Sequence, residues 1–328
     1  MKTVIIENPI INSAFAEPRQ HFRFDSEGIT SDIIGTRRSS HYFIPIAQPK
    51  KKNPQLELDL GIWTQDRISE NKFINDIRER VSWWRRGGYR GTVNITAISR
   101  RLLEYWTNPE REKKLFFCQI EALETVIYLT EVADKSGDAW IRNQLNTFKD
   151  ANNPLLFRIA LKMATGSGKS AVMSMLIAYH TLNKLSSPQR LEFSDAFLIV
   201  TPGITVRDRL RILLPNDPEN YYKKLDLVPC ELLAELEKAK IIVTNYHAFA
   251  LKEHTSVSAL TKNILNPTKD NAFTETPEQM VRRVCRSLGN KKNIIVMNDE
   301  AHHCYRRRVD GDEEQETSCM NHQACASS

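Results

Sequence analysis

Residues 163–170 read MATGSGKS, and no other stretch restricts the possible folds so tightly. Gly166 and Gly168 let successive backbone N–H groups curl round one point with no Cβ in the way. Lys169 adds a compact positive charge and Ser170 a hydroxyl. The pattern G-x-x-x-x-G-K-[ST] is met except at Met163, where the first glycine usually stands. A loop of this kind needs a strand before it and a helix after it, because the helix N-terminus completes the anion site. The segment LLFRIALKM (155–163) is the strand candidate, and an amphipathic helix is expected to about Lys184.

The rest of the second half repeats that texture. AFLIVT (196–201), KIIVTN (240–245) and NIIVMND (293–299) are short apolar runs, and a helix is expected from about Thr205 to Leu213. Most of the runs show little alternation, as strands do when helices cover both faces of a parallel sheet. The fold class expected is therefore α/β. The weakly periodic stretch 254–278 is read as a surface insertion.

An anion cradle that ends in Lys-Ser points to a nucleoside triphosphate. Thr165, Gly166, Ser167 and Gly168 form the cradle, Lys169 reaches the β- and γ-phosphates, and Ser170 gives its hydroxyl to Mg²⁺. Asp299 ends the last strand candidate and Glu300 follows it. Two adjacent carboxylates at the carboxyl edge of a sheet suit the two remaining tasks. Asp299 helps to hold the Mg²⁺, largely through water, and Glu300 orients and deprotonates an attacking water. The metal set expected is Ser170 and Asp299. ATP and Mg²⁺ are the ligands implied.

The first half reads differently. Residues 1 to about 60 are rich in proline and expected to be irregular, with PKKKNP (49–54) a solvated linker. Phe73, Ile77, Val81 and Trp84 fall on one face of a helix that Gly87 and Gly88 stop. In WWRRGGYRG, Trp84 is assigned to the core, with Arg85 and Arg86 in solvent. The competing reading is a single-strand-binding surface. A second helix is expected over Thr96–Trp106. Asn108-Pro109-Glu110 reads as the start of a third, carrying Phe116, Ile120, Leu123 and Ile127 on one face.

Composition excludes little. The chain has 328 residues, 41% of them apolar and 26% charged, with a formal net charge of +6. That permits a polyanionic partner without naming one. No apolar run reaches the ~18 residues of a membrane span, so no membrane partner is expected. The six cysteines are scattered and read as reduced thiols of a cytoplasmic protein. Cys319, His322 and Cys325 match no common zinc spacing and read as part of an inert tail.

Asp299-Glu300-Ala301-His302 resembles the DEAH form of the second nucleotide motif of superfamily 2 helicases. FFCQIEALE (116–124) is similar to their adenine-reading motif, so Gln119 would contact the base. TPGITVRDRL (201–210) and TNYHAF (244–249) lie where the family grips the nucleic-acid backbone. The resemblance implies nucleic-acid contacts at Thr201, Pro202, Gly203, Thr244 and Asn245. It also gives His302 a role in linking the ATP site to a second lobe. ENPIINSAFAEPRQHFRFDSEGIT, RRLLEYWTNPERE, FFCQIEALETVIYLTEV and DEAHHCYRRR narrow the resemblance to the motor subunit of type III restriction enzymes, up to about Arg308.

That family implies a RecA-like P-loop lobe with a parallel sheet wrapped by helices, acting on double-stranded DNA in a bacterial cytoplasm. A methyltransferase or specificity subunit is a possible partner. The division expected is 1–108 as an irregular, then helical, accessory region, 109–310 as the first motor lobe, and 311–328 as a disordered tail. No Ser-Ala-Thr motif, second lobe or nuclease follows. The expectation is an N-terminal portion of a longer enzyme that binds ATP–Mg²⁺ weakly and hydrolyses it slowly or not at all. The alternative is a non-catalytic nucleotide- or DNA-binding module that acts through a partner chain. An unrelated P-loop enzyme such as a kinase is disfavoured by Gln119 and the strand-end motifs.

Overall fold

The structure is a computed structural model that describes residues 6–25, 28–43, 68–90, 94–147, 157–252 and 275–299. They divide into two compact units, one through Val172 and the other from Met173. The PKKKNP segment, most of the expected insertion, Glu300, His302 and the cysteine-containing tail lie outside the described residues.

The first unit opens with two small antiparallel pairs. Strands β1 (His21–Asp25) and β2 (Gly28–Ile34) form a hairpin, and β3 (His41–Phe43) pairs with β4 (Ile68–Glu70). Outside these strands the described residues of this start are irregular, as expected. The proline-based reading overlooked HFRFD and GITSDII, two short runs that pair antiparallel.

Helix α1 (Lys72–Arg86) begins at Asn71, whose side chain accepts from the Ile74 N–H, and ends at Gly87. Gly88 then takes φ +66°, a conformation that favours glycine. Helix α2 (Ala97–Thr107) is capped by Thr96. The next helix does not start at Asn108. The Asn108 side chain instead accepts from the Glu110 N–H at 2.9 Å, a local turn that competes with helix entry. Helix α3 spans Phe117–Ile127 and α4 spans Ala139–Thr147. Trp84, Leu102, Leu103, Trp106, Leu123, Ile127 and Ile141 are buried in this unit. The Trp84 ring lies 5.0 Å from Tyr89 and 5.6 Å from Tyr128.

Helix α5 (Lys169–Ser186) follows the glycine loop. In the second unit a parallel sheet takes the order β6–β5–β7, with β5 Ala196–Thr201, β6 Lys240–Asn245 and β7 Ile295–Asn298. Every residue of β5 is buried, as a central strand covered on both faces requires. Ala196, Leu198 and Val200 pack with Leu288 on one face, while Phe197 and Ile199 are buried on the other. Short helices α6 (Ile204–Arg209), α7 (Tyr221–Lys224) and α8 (Leu233–Leu236) connect β5 to β6. Helix α9 (Pro277–Val284) precedes β7.

The strand expected before the glycine loop is not formed among the described residues. Residues 157–164 have no regular structure, although Ile159, Leu161 and Met163 are half-covered and the residues between them exposed. The alternation of a strand is present without a hydrogen-bonded neighbour, and it is the neighbour that makes a strand.

Candidate phosphate-binding site

The glycine loop turns where its glycines allow it to. Gly166 and Gly168 take φ +81° and +85°, which a side chain would resist. A Cβ on Gly166 would meet nothing within 4 Å, so the loop is open on that side. Ser167 folds back on the loop, its N–H and hydroxyl donating to the Ala164 carbonyl at 3.3 and 2.6 Å. The Gly168 carbonyl accepts from the N–H groups of Ala171 and Val172 and so starts α5. Lys169 and Ser170 occupy the first two positions of that helix, partly exposed. Bare backbone on an open side, at the start of an 18-residue helix, fits an anionic phosphate.

Gln119 stands against this loop. Its amide nitrogen donates to the Ser167 carbonyl at 3.0 Å, and its amide oxygen accepts from the Phe116 N–H at 3.0 Å. A Cβ on Gly168 would come within 2.1 Å of that nitrogen. The resemblance places Gln119 on a base. In the structure it is buried and fastens the loop to the first turn of α3.

Behind Gln119 lies a charge cluster that the sequence reading missed. Glu124 is fully buried and accepts from Arg85 Nε and a terminal nitrogen at 2.8 and 2.6 Å, and from the Tyr89 hydroxyl at 2.7 Å. Glu121 accepts both terminal nitrogens of Arg37 at 2.6 Å each. Glu17 reaches Arg85 at 3.2 Å and Arg37 at 3.6 Å. Both guanidinium groups lie over the Phe117 ring.

Burial alone would depress the Arg85 guanidinium, but Glu124, then Glu121 and Glu17, hold it well above its ordinary value. Burial would raise the Glu121 carboxyl, and Arg37 with Arg85 overcomes this and lowers it. Burial and the Glu124 charge push the Tyr89 hydroxyl well up. Arg85 is therefore an internal ion-pair partner, which corrects its assignment to solvent; Trp84 is in the core as expected. One signal was available in the sequence. Glu124 falls in line with Ile120 and Ile127 on an otherwise apolar helix face, and an acid there demands a buried partner.

In the second unit the carboxyl ends of the strands are in register. Thr201 pairs with Asn245, and the Asp299 N–H donates to the Val200 carbonyl at 3.0 Å. Thr201 is buried, with its hydroxyl shared between the carbonyls of Gly203 at 3.0 Å and Thr244 at 3.3 Å. Pro202, Gly203, Thr244 and Asn245 are partly exposed. The Asn245 side chain caps the short turn Tyr246–Phe249. Arg283 pins that turn from outside through the Ala248 and Ala250 carbonyls at 3.0 and 3.1 Å, with Glu275 as its counter-ion. The base of β7 is fixed by Asn293, whose amide donates to the carbonyls of Leu191 and Phe193, and by Lys291 on Asp195 at 2.6 Å.

A glycine-rich loop that opens α5, followed in the chain by an α/β unit with a parallel sheet, is consistent with one class: a RecA-like P-loop domain. The particular family follows from sequence comparison, since the pattern of the type III restriction enzyme, res subunit, matches residues 112–324. The chain belongs to that family, whose domain is a helicase-like motor of restriction systems. No curated protein and no solved structure matched it. Among the described residues, no helix is long and apolar enough to cross a membrane.

Proposed function

We propose that the chain is the ATP-binding lobe of a DNA helicase or translocase of a type III-like restriction system. The observation that carries this reading is the open, positive-φ glycine loop at the start of α5, fastened by Gln119. The lobe is taken as 109–310, preceded by an accessory region 1–108; the family match from residue 112 supports that boundary.

When bound, Mg²⁺ supplies positive charge against the triphosphate. The loop N–H groups from Thr165 to Gly168 hold phosphate oxygens, and Lys169 meets those of the β- and γ-groups. Ser170 and Asp299 are the metal-holding pair, Glu300 is the base that takes the proton of the attacking water, and His302 links the site to a second lobe. The strand-end residues Pro202, Gly203, Thr244 and Asn245 contact the DNA backbone, with Thr201 shaping that edge through the Gly203 and Thr244 carbonyls.

The test is Mg²⁺–ATP binding and turnover, with and without duplex DNA, on the chain and on Lys169→Ala. Loss of at least about tenfold in ATP affinity in the variant is expected, since a charge-assisted phosphate contact contributes ~1.5–3 kcal/mol. Equal binding by both proteins would overturn the nucleotide assignment. Retained ATP binding with no DNA affinity at any salt concentration would overturn the motor assignment.

A further inference from the structure

On one side the start of α3 is held by the N-terminal segment together with Arg85 of α1, and what α3 holds on the other side is the phosphate loop. The Phe117 N–H, an orphan donor at the helix start, is taken by the Ala14 carbonyl at 2.8 Å. The Phe15 ring lies 5.5 Å from that of Phe116. Arg37 grips Glu121 with two bonds of 2.6 Å and lies over the Phe117 ring at 5.5 Å. Phe117, Glu121 and Glu124 share one helical face, while Gln119 is about 200° round from Phe117 and Glu121.

We infer that Arg37 is a positioning residue for the phosphate loop, acting through α3 and Gln119. This rests on the reading of residues 163–170 as a nucleotide site. Gln119 is tied at both ends, to Phe116 in the first turn and to Ser167 in the loop. The Ser167 carbonyl lies between two glycines of positive φ, whose backbone turns easily. A small displacement of α3 therefore disturbs the Gln119 bond to the Ser167 carbonyl at 3.0 Å, beside which the Cys118 thiol makes only a weaker contact at 3.9 Å, and the peptide after Ser167 is freer to rotate. The fork of Arg37 fixes both the distance and the plane of Glu121, which a lysine could not do. The accessory region thus sets nucleotide affinity from a distance, with no contact to the nucleotide.

The experiment is a double-mutant cycle in the full chain, with Arg37→Met and Gln119→Ala singly and together. Affinity for a fluorescent ATP analogue with Mg²⁺ is read by anisotropy, and folding is checked by thermal unfolding. Each single variant is expected to lose about five- to tenfold in affinity, the size of an ordinary effect transmitted between sites. The double variant is expected to bind no more weakly than Gln119→Ala alone. Arg37→Lys should fall between wild type and Arg37→Met, and it replaces Arg37→Met in the cycle if that variant does not fold. Additive losses in the double variant would overturn the proposal, because Arg37 would then act independently of Gln119. Lys169→Ala separates the two levels. If it binds the analogue as well as wild type, the nucleotide reading falls and this proposal with it. If it loses binding while Arg37→Met keeps wild-type affinity, only the positioning role falls.

Discussion

The Gln119 side-chain amide meets the Ser167 carbonyl at 3.0 Å, and this contact leaves no room for a methyl group on Gly168. The two loop glycines are therefore not equivalent. Gly166→Ala meets only the backbone strain of φ +81° and should lose about 1–2 kcal/mol of stability. Gly168→Ala carries similar strain and also displaces Gln119, for roughly 2–4 kcal/mol. Urea unfolding of the two variants measures the difference; equal losses would mean that Gln119 yields without cost.

Glu124 supplies the second expectation. Its carboxylate is fully buried between Arg85 and Tyr89. Glu124→Ala leaves the Arg85 charge without its main partner and should cost about 3–5 kcal/mol. The exposed pair Lys238–Glu235, at 2.5 Å, is the control. Glu235→Ala should change stability by less than about 1 kcal/mol. Chemical unfolding of both variants tests the contrast, and a small loss at Glu124 would mean that water reaches Arg85 readily.

How much of this was legible beforehand varies by element. AFLIVT and KIIVTN could be read as strands because their apolar runs need cover on both faces, and they pair as β5 and β6 over their full lengths. The glycine loop could be read because phosphate chemistry leaves few alternatives to Gly, Lys and Ser. LLFRIALKM carried the right pattern, but a strand needs a neighbour that periodicity cannot supply. Arg85 was misplaced because its acids lie 36 and 39 residues away. The Asn108 side chain could equally cap a helix or close a turn, and local sequence does not choose between them.

His180 gives a pH dependence of definite sign. It is buried on α5, its ring 4.7 Å from Tyr179 and 6.1 Å from Phe193. Burial pulls its imidazole down to about 3, from an ordinary value of 6.5. The unfolded chain therefore takes up the proton first. The stability this group contributes is complete above pH 6.5 and is lost progressively as the pH falls towards 3. At pH 5.5 the loss is about 1.4 kcal/mol. His180→Phe should remove that component between pH 7 and 5.5, as read by thermal unfolding. An unchanged pH profile in the variant would show that His180 is not its source.

Thr201→Val tests whether the hydroxyl at the end of β5 serves the fold. Removing it leaves the Gly203 and Thr244 carbonyls without this donor and should cost about 1–2 kcal/mol. DNA affinity of the folded variant should stay within about twofold, since the hydroxyl points at protein carbonyls rather than outward. A selective loss of DNA binding at unchanged stability would contradict that placement.

Beyond Ile127 the chain passes directly into a wide turn, Tyr128–Val132, where the Ala133 N–H reaches back to the Tyr128 carbonyl. Glu124 precedes this turn and faces Arg85; Glu131 lies within it and takes the Thr96 N–H and the Ser99 hydroxyl. Deleting one residue here would tighten the turn and swing Glu131 about 100° away from Ser99. Chain length is thus the guarded property of this stretch. Substitution at partly exposed Thr130 should be tolerated where a single-residue deletion is not.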